Sequence, residues 1–385
     1  MDERLKSISV AGFKSIARLE NFKLREVNVL IGANGAGKSN FIALFRLLYE
    51  LTQRNLGVYC AQMGGADSFL FLGRARTPEL SVALSFGNNG YEFTLVPTTD
   101  DRFVFKREGV QFDGNTNYAD EFGTGHSEAK LPERKDNPGR WGAAHGPSWY
   151  AWNALSSWVM YHFDNTNPEA PVRLHCEIND NDRLRRDASN LAAYLYRLKL
   201  TQTAAYEEIR NAIRQAAPFF DDFRLRPDPL NPARIQLEWS QRGSDHPFRA
   251  VHLSDGTLRF ICLATALLDP QRPATVLFDE PELGLHPAAL TILAALFRFK
   301  SRNWFVTKQI IATTQSAPFL SEFQPEEVIV VDRDEASAST FRRLEAAALS
   351  EWLSEYTLGD LWQMNLLGAR PSPDAPNPER LRNSG

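Results

Sequence analysis

The stretch VNVLIGANGAGKSNFIALFRLLYELT, residues 27–52, constrains the fold more than any other part of the chain. It opens with an apolar run ended by glycine, the pattern of a strand buried on both faces. Residues 32–39, GANGAGKS, then fit G-x-x-x-x-G-K-[ST]. Over residues 37–52 the side chains Phe41, Leu44, Phe45 and Leu48 recur at helical spacing. A buried strand, a glycine-rich turn and an amphipathic helix in immediate succession define an α/β unit. The spacing has a physical cause. Glycines let successive backbone N–H groups converge on phosphate oxygens, and the helix N-terminus behind them adds positive potential. Gly32, Asn34, Gly35, Ala36, Gly37, Lys38, Ser39 and Asn40 are the expected lining of a nucleoside triphosphate site. Lys38 is expected to reach the β- and γ-phosphates and Ser39 to ligate Mg2+. The plainer reading is a glycine-rich turn that only opens a helix.

A second apolar run, ATVLFDEP, ends in two acids. Adjacent carboxylates at a buried strand end are costly unless a cation or a reaction lies near. Asp279 is expected to hold the Mg2+ through water, and Glu280 to face the attacking water as general base or orienter. A third run, KQIIATTQSAPFL, places Gln315 just beyond a strand end. A glutamine there can donate to phosphate and orient water, but it cannot carry the charge of a protonated histidine. HLSDGTLR, residues 252–259, opens an apolar helix. Ser254 or Asp255 suits its N-cap, and Gly256 allows a close backbone approach.

The rest of the chain surrounds these stretches. KSISVAGF alternates, with Ile8 and Val10 on one face of a half-buried strand. ELSVALSFGNNGYEFTLV is a hairpin turning at Gly87-Asn88-Asn89-Gly90, and RFVFK adds a further strand. Residues 109–147 are rich in Gly, Asn, Asp and Pro and read as an exposed loop or mobile flap. SWYAWNALSSWVMYHF returns to dense aromatics and is expected to pack. Helical spacing covers 188–217, with Leu191, Leu195 and Leu198 on one side. RIQLEW and FRAVHL suit short strands, EEVIVVD a last buried strand, and the proline-rich residues 370–385 a disordered tail. The division that follows is 1–108, the first half of a head with the phosphate loop; 109–234, an inserted flap and helical lobe; 235–345, the second half of the head; and 346–385, C-terminal helices and tail.

The 385 residues carry a formal net charge of −4, so no global basic field argues for nucleic acid. Local clusters remain at Arg183-Arg185-Arg186, Arg224-Arg226, Arg298-Lys300-Arg302 and Arg342-Arg343. Such clusters are more often solvated faces than DNA tracks. Cys60, Cys176 and Cys262 form no CxxC pair and suit free thiols in a reducing compartment. The charged start MDERLKSISV is not a signal peptide, and no apolar run is long enough to span a bilayer, so a cytoplasmic protein is expected.

Together these motifs resemble a known family. LKSISVAGFKSIARLENFKLREVNVLIGANGAGKSNFI, DEPELGLHP and TTQSAP resemble the SMC/RecF/OLD branch of ABC ATPases. GGADSFLFLG, VMYHFDNTNP, RRDASNLAAYLYRL and YTLGDLWQMNLLG resemble its stand-alone predicted AAA-type ATPases, found in bacterial anti-phage defence and DNA-repair loci. LSDGT is similar to the family signature LSGGQ, with Asp255 replacing the first glycine and Thr257-Leu258 departing from the rest. The resemblance implies an α/β fold, an ABC-type P-loop ATPase head. Its mixed sheet would carry an antiparallel N-terminal subsheet, an inserted helical lobe and a Gly-rich flap.

The same resemblance implies ATP and Mg2+ as cofactors and hydrolysis as the reaction. It implies a dimer, or a larger assembly, in which Ser254 and Gly256 of one copy close on the γ-phosphate held by the other copy. Residues 283–286 would form the D-loop of that interface. Phe13-Lys14-Ser15 would approach the nucleotide from the N-terminal strands, although Lys14 also reads as a solvated strand-end lysine. The Q-loop has two candidate places, Gln62 or the region of His162 and Asp164, and His162 reads equally well as a core histidine. Gln315 stands where the branch often has a histidine.

The output implied is a clamp, sensor or regulator acting on DNA or on a separate effector such as a nuclease, in anti-phage defence or in repair of the RecF type. A transporter-coupled ATPase is opposed by the long insertion and by LGLH, and a small-molecule kinase has no use for LSDGT. The absence of heptads excludes long coiled-coil arms. VVDRDEAS holds Asp332 and Asp334, the spacing of a nuclease carboxylate pair, but too little chain follows for a further domain, so an acidic turn is expected.

Overall fold

A computed structural model describes residues 4–113, 118–137, 145–270, 275–299 and 308–368. The first half of the chain runs β1 (Ser7–Phe13), β2 (Ile16–Lys23), β3 (Val27–Ile31), α1 (Lys38–Thr52), α2 (Leu56–Gln62), β4 (Leu80–Phe86), β5 (Asn89–Pro97), β6 (Phe103–Phe112), β7 (Tyr118–Glu121), α3 (Leu131–Arg134), α4 (Pro147–Ser156) and β8 (Val159–Tyr161). An inserted lobe follows, with β9 (Cys176–Glu177), α5 (Leu191–Thr201), α6 (Thr203–Ala216), β10 (Phe220–Phe223), β11 (Arg234–Ile235), β12 (Glu238–Gln241) and β13 (Pro247–Arg249). The chain then returns through α7 (Asp255–Leu267), β14 (Thr275–Phe278), α8 (Pro287–Phe297), β15 (Gln309–Thr313), α9 (Ala317–Leu320), β16 (Val328–Arg333), β17 (Ser339–Arg343), α10 (Ala346–Leu349) and α11 (Leu358–Gln363).

One sheet has the order β17-β16-β3-β15-β14-β8. All its pairings are parallel except that of the edge strand β17. Its central strands are buried throughout and mostly apolar because both faces are covered. Val29, Val276, Phe278, Ile310 and Ala312 face the layer of α5 to α8, and Leu30, Leu277 and Ile311 face the opposite way. The second sheet, β2-β1-β4-β5-β6-β7, is antiparallel. It alternates as a one-sided sheet should: Leu80, Val82, Leu84 and Phe86 of β4 are buried, and Ser81, Ala83 and Ser85 are only partly so.

Helix α1 lies between the sheets. Phe41, Leu44, Phe45, Leu47 and Leu48 are all buried, in one cluster with Val10, Val82, Leu277 and Ile311. Burying each such side chain contributes about 1.5–3 kcal/mol, whereas a missing N-cap costs about 1 kcal/mol. Packing therefore holds α1 in place although no side chain caps it.

The hairpin expected at residues 79–96 is present, with Phe86 opposite Asn89 and Gly87 at φ 72. The helical stretch 188–217 is two helices. Gln202, at φ −142, separates them between the β-branched Thr201 and Thr203. At the other end of the chain α11 packs against α9. A Cβ on Gly359 would lie 2.2 Å from the Ala317 carbonyl oxygen, so only glycine fits that contact.

Within 109–147, expected as an exposed loop or mobile flap, the described residues 109–113 and 118–137 include a paired strand and buried anchors. β6 continues to Phe112, and β7 pairs with it from Phe112↔Tyr118 to Gly109↔Glu121. Phe122, Ala129 and Leu131 are buried. What anchors this segment is polar, and so was invisible to a count of apolar residues. Fully buried Glu108 accepts from Tyr91 Oη (2.9 Å), Lys130 N (2.9 Å) and Leu131 N (3.0 Å), and contacts His126 Nε2 (2.7 Å). The His126 ring stacks on Phe105 at 4.6 Å. Residues 114–117 and 138–144 of the expected flap, and the tail 370–385, lie outside the described residues. Glu108→Ala would leave several buried donors unpaired. It is expected to destabilise the fold by roughly 3 kcal/mol, read as a drop in the urea midpoint at unchanged slope.

Candidate functional site

The carboxyl ends of four parallel strands meet in one crevice, the place where open α/β sheets hold ligands. β3 runs into the 32–37 loop, β15 into Thr314 and Gln315, β14 into Asp279 and Glu280, and β8 into His162. Register aligns them: Thr313 lies opposite Leu30, Ala312 opposite Phe278, and Phe278 opposite Tyr161.

Gly37 precedes α1 at φ 117, a conformation side chains disfavour. A Cβ there would lie 2.0 Å from Ser339 Oγ and 2.7 Å from Ser15 Oγ. Ser339 Oγ donates to Ala36 O and lies 2.7 Å from Ser15 Oγ, and Asn40 Nδ2 donates to Ser15 Oγ at 2.8 Å. Arg333 Nε donates to Gly35 O at 2.8 Å. The β1–β2 turn and the β16–β17 hairpin thus form the floor under the loop. Lys38 is buried, and its ammonium donates to Gly32 O (2.7 Å) and Ala33 O (3.1 Å). Burial depresses its pKa, while Glu280, Asp279 and Glu282 pull it back up. Asn34, Gly35 and Ser39 are exposed.

This set fits a phosphate chain carrying a divalent cation. No side chain caps α1, as is also true of α2 to α6 and α10. The first-turn N–H groups of α1 have no acceptor within the helix. Uncapped donors, a buried ammonium and facing carboxylates are what a triphosphate requires. Ser39 on the first turn of α1 and Asp279 at the end of β14 are the hydroxyl and carboxylate such a cation would need.

The loops after β14 and β15 are laced together. The Thr313 hydroxyl donates to Asp279 Oδ1 and accepts the Glu280 N–H at 3.0 Å. Glu280 sits at φ 45, a strained position for a residue with a Cβ. The Gln315 side-chain amide donates to Glu280 Oε1. Buried Glu282 accepts from Thr314 Oγ1 (2.5 Å) and Gln315 N (3.1 Å). Burial raises its pKa against the pull of those bonds.

Ser254 caps α7 by accepting from Thr257 N at 3.2 Å, and it is exposed. Gly256 has an intrachain reason to be glycine: a Cβ would lie 2.1 Å from the Gly284 carbonyl oxygen. Among the described residues no hydrogen bond ties Ser254 or Gly256 to the 32–39 loop. Two arginines fix this corner. Buried Arg173 donates to Thr166 O (2.7 Å), Ala250 O, Leu253 O (3.1 Å) and Asp255 Oδ1 (2.7 Å). Arg259 donates to Phe163 O (3.0 Å), Asp164 O (3.1 Å) and Leu283 O (2.5 Å).

Of the two Q-loop candidates, the one at His162 and Asp164 lies at the crevice, beside Asp279, whereas Gln62 ends α2. His162 is solvent-accessible, not a core residue. Partial burial, Arg46 and Arg186 hold its pKa below the usual histidine value, against Asp164 and Asp279. Ser15 reaches the loop, but the Lys14 ammonium lies over the Phe69 ring at 5.4 Å. Asp334 closes the β16–β17 turn by accepting from Ala338 N at 2.8 Å.

The basic clusters are largely engaged. Arg185 bonds Asp180, Arg186 lies over Tyr49 and Arg298 bonds Glu327. Arg226 lies 3.4 Å from Glu238, Arg342 donates to Leu367 O, and Arg343 donates to Glu326 O and Lys23 O. Lys300 and Arg302 lie outside the described residues. Sequence reasoning missed Ser339, Arg333, Thr313, Arg173 and Arg259, whose partners are distant in the chain. Glu282 had a signal, a third acid in DEPE.

The architecture is an α/β fold similar to that of SMC heads. The chain is similar to an SMC head solved in complex with the C-terminal winged-helix domain of ScpA, at 14% identity and a TM-score of 0.56, over 89% of this chain and 99% of that one. It is also similar to an SMC head with an extended coiled coil, bound to the C-terminal domain of ScpA, from Pyrococcus furiosus. There the identity is 14% and the TM-score 0.52, over 91% of this chain and 98% of that one. The chain belongs to the family described as "AAA domain, putative AbiEii toxin, Type IV TA system", whose model matches residues 27–322. ATP binding and hydrolysis are the general activity that membership implies. No curated protein matches. Among the described residues no helix is long and apolar enough to cross a membrane.

Arg173→Ala would leave three buried carbonyls without their donor, while the exposed Asp255 carboxylate stays solvated. The substitution is expected to cost roughly 2–4 kcal/mol, and Arg173→Lys to recover little of it, measured by chemical denaturation.

Proposed function

We propose that this chain is a Mg2+-dependent ATPase that closes on ATP as a head-to-head dimer and uses that closure to control a separate effector or DNA. The observation that carries the reading is the convergence on one crevice of the uncapped start of α1, buried Lys38 and the Asp279, Glu280 and Gln315 side chains. Lys38 would neutralise the β- and γ-phosphates, and the N–H groups of Gly35, Gly37 and Ser39 would hold their oxygens. Ser39 and Asp279 would hold the cation, which withdraws charge from the phosphates. Glu280 orients the attacking water and accepts its proton. Gln315, bonded to that carboxylate, fixes the carboxylate's direction and can donate to the γ-phosphate.

The dimer would place exposed Ser254 and the Gly256 backbone against the partner copy's phosphate. Exposed Leu174, Val251 and Leu283 near this corner support a self-interface. Two head halves, 1–108 and 235–345, the lobe 109–234 and the C-terminal helices 346–385 are the division this reading uses, with its first boundary falling inside β6. A cytoplasmic role in anti-phage defence, with the effector on another chain, completes the proposal.

Gel filtration of Glu280→Gln tests it. ATP is expected to shift that variant to a dimer or larger assembly, and Ser254→Arg to abolish the shift. A protein that stays monomeric with ATP in both forms would sink the clamp.

Residue 315 supplies no titrating group, and partial burial holds the His162 pKa below the usual histidine value. Turnover is therefore expected to be flat between about pH 7 and 8. Gln315→Ala is expected to lower kcat by roughly tenfold or more. Unchanged steady-state rates in that variant would make Gln315 a plain loop residue.

A further inference from the structure

Glu282 is an expensive side chain where it stands. It is buried, among the described residues no ion pair reaches it, and its Oε2 is buried without a hydrogen-bond partner. A buried carboxylate with one oxygen unsatisfied costs free energy that an apolar residue of similar size would not. Stability therefore does not account for it, and local rules are broken in this way mainly at functional sites.

What Glu282 does is geometric. Oε1 takes the Thr314 hydroxyl at 2.5 Å and the Gln315 N–H at 3.1 Å, so one oxygen fixes the backbone at the start of Gln315. From that fixed backbone the Gln315 side chain reaches Glu280 Oε1. Thr313 ties the other ends of the two loops, through Asp279 Oδ1 and Glu280 N. Without Glu282, one side of this lacing is lost, and the loop after Thr313 loses both bonds that aim Gln315.

We infer that Glu282 is a positioning residue that sets the Gln315–Glu280 contact from outside the crevice and touches neither nucleotide nor water itself. The inference rests on the hydrolytic reading above but can fail separately from it. Glu282→Ala is expected to lower kcat by between roughly tenfold and a hundredfold, with the Kd for Mg-ATP unchanged within about threefold. Glu282→Gln keeps an acceptor for both donors and is expected to restore most of the rate. Glu282→Ala combined with Gln315→Ala should be no slower than Gln315→Ala alone. Backbone hydrogen exchange at residues 314–316 should speed up in Glu282→Ala and return in Glu282→Gln.

Loss of affinity equal to the loss of rate, additive effects in the double variant, or unchanged exchange would each overturn the assignment. If the unmodified protein hydrolyses no ATP, the hydrolytic reading falls and the exchange comparison still decides the role of Glu282. Should Glu282→Ala not fold, Thr314→Val removes one of the two bonds and is expected to move rate and exchange the same way.

Discussion

The parallel pairing of β15 between β3 and β14 is the constraint on which the site depends. With Leu30 opposite Thr313 and Ala312 opposite Phe278, the phosphate-type loop, the acidic strand end and Gln315 emerge at one level of the sheet. A slip of one residue would turn Thr313 to the other face and unmake its bonds to Asp279 and Glu280. Register is secured because both faces of these strands are buried against different layers. Packing far from the crevice thus fixes distances inside it.

The electrostatics follow from that placement. Lys38 is removed from water, which favours its neutral form, and the charges of Glu280, Asp279 and Glu282 favour the charged one. The carboxylates in turn crowd one another: the Glu280 charge adds to burial in raising the pKa of Glu282. Such a set gains most from a ligand that brings both negative phosphate and a divalent cation, because each half of the crevice then finds its counter-charge.

Much of this was legible in the sequence. The β3–loop–α1 unit, the strand ending at Asp279, the cap at Ser254 and the strand before Gln315 are local patterns, and each was formed where periodicity and turn chemistry placed it. What the sequence could not give was chosen by distant partners. Gly37 is glycine partly because Ser339 lies beneath it, Gly256 because Gly284 passes over it, and Gly359 because Ala317 does. The 109–137 segment looks exposed in sequence because its anchor is a buried glutamate with polar partners. A hydrophobicity count scores such an anchor as exposure. Gln202 divides what looked like one helix, since apolar spacing continues across a break that only the backbone records.

The contact between Gly256 and Gly284 leaves no slack between the first turn of α7 and the loop that leaves Glu280 and Glu282. Arg259 adds a bond from the same helix to Leu283. The acidic loop and the exposed start of α7 therefore pack directly on one another. The outer surface at Ser254 and the acidic loop of the crevice are thus joined by direct backbone contact, with no flexible linker between them.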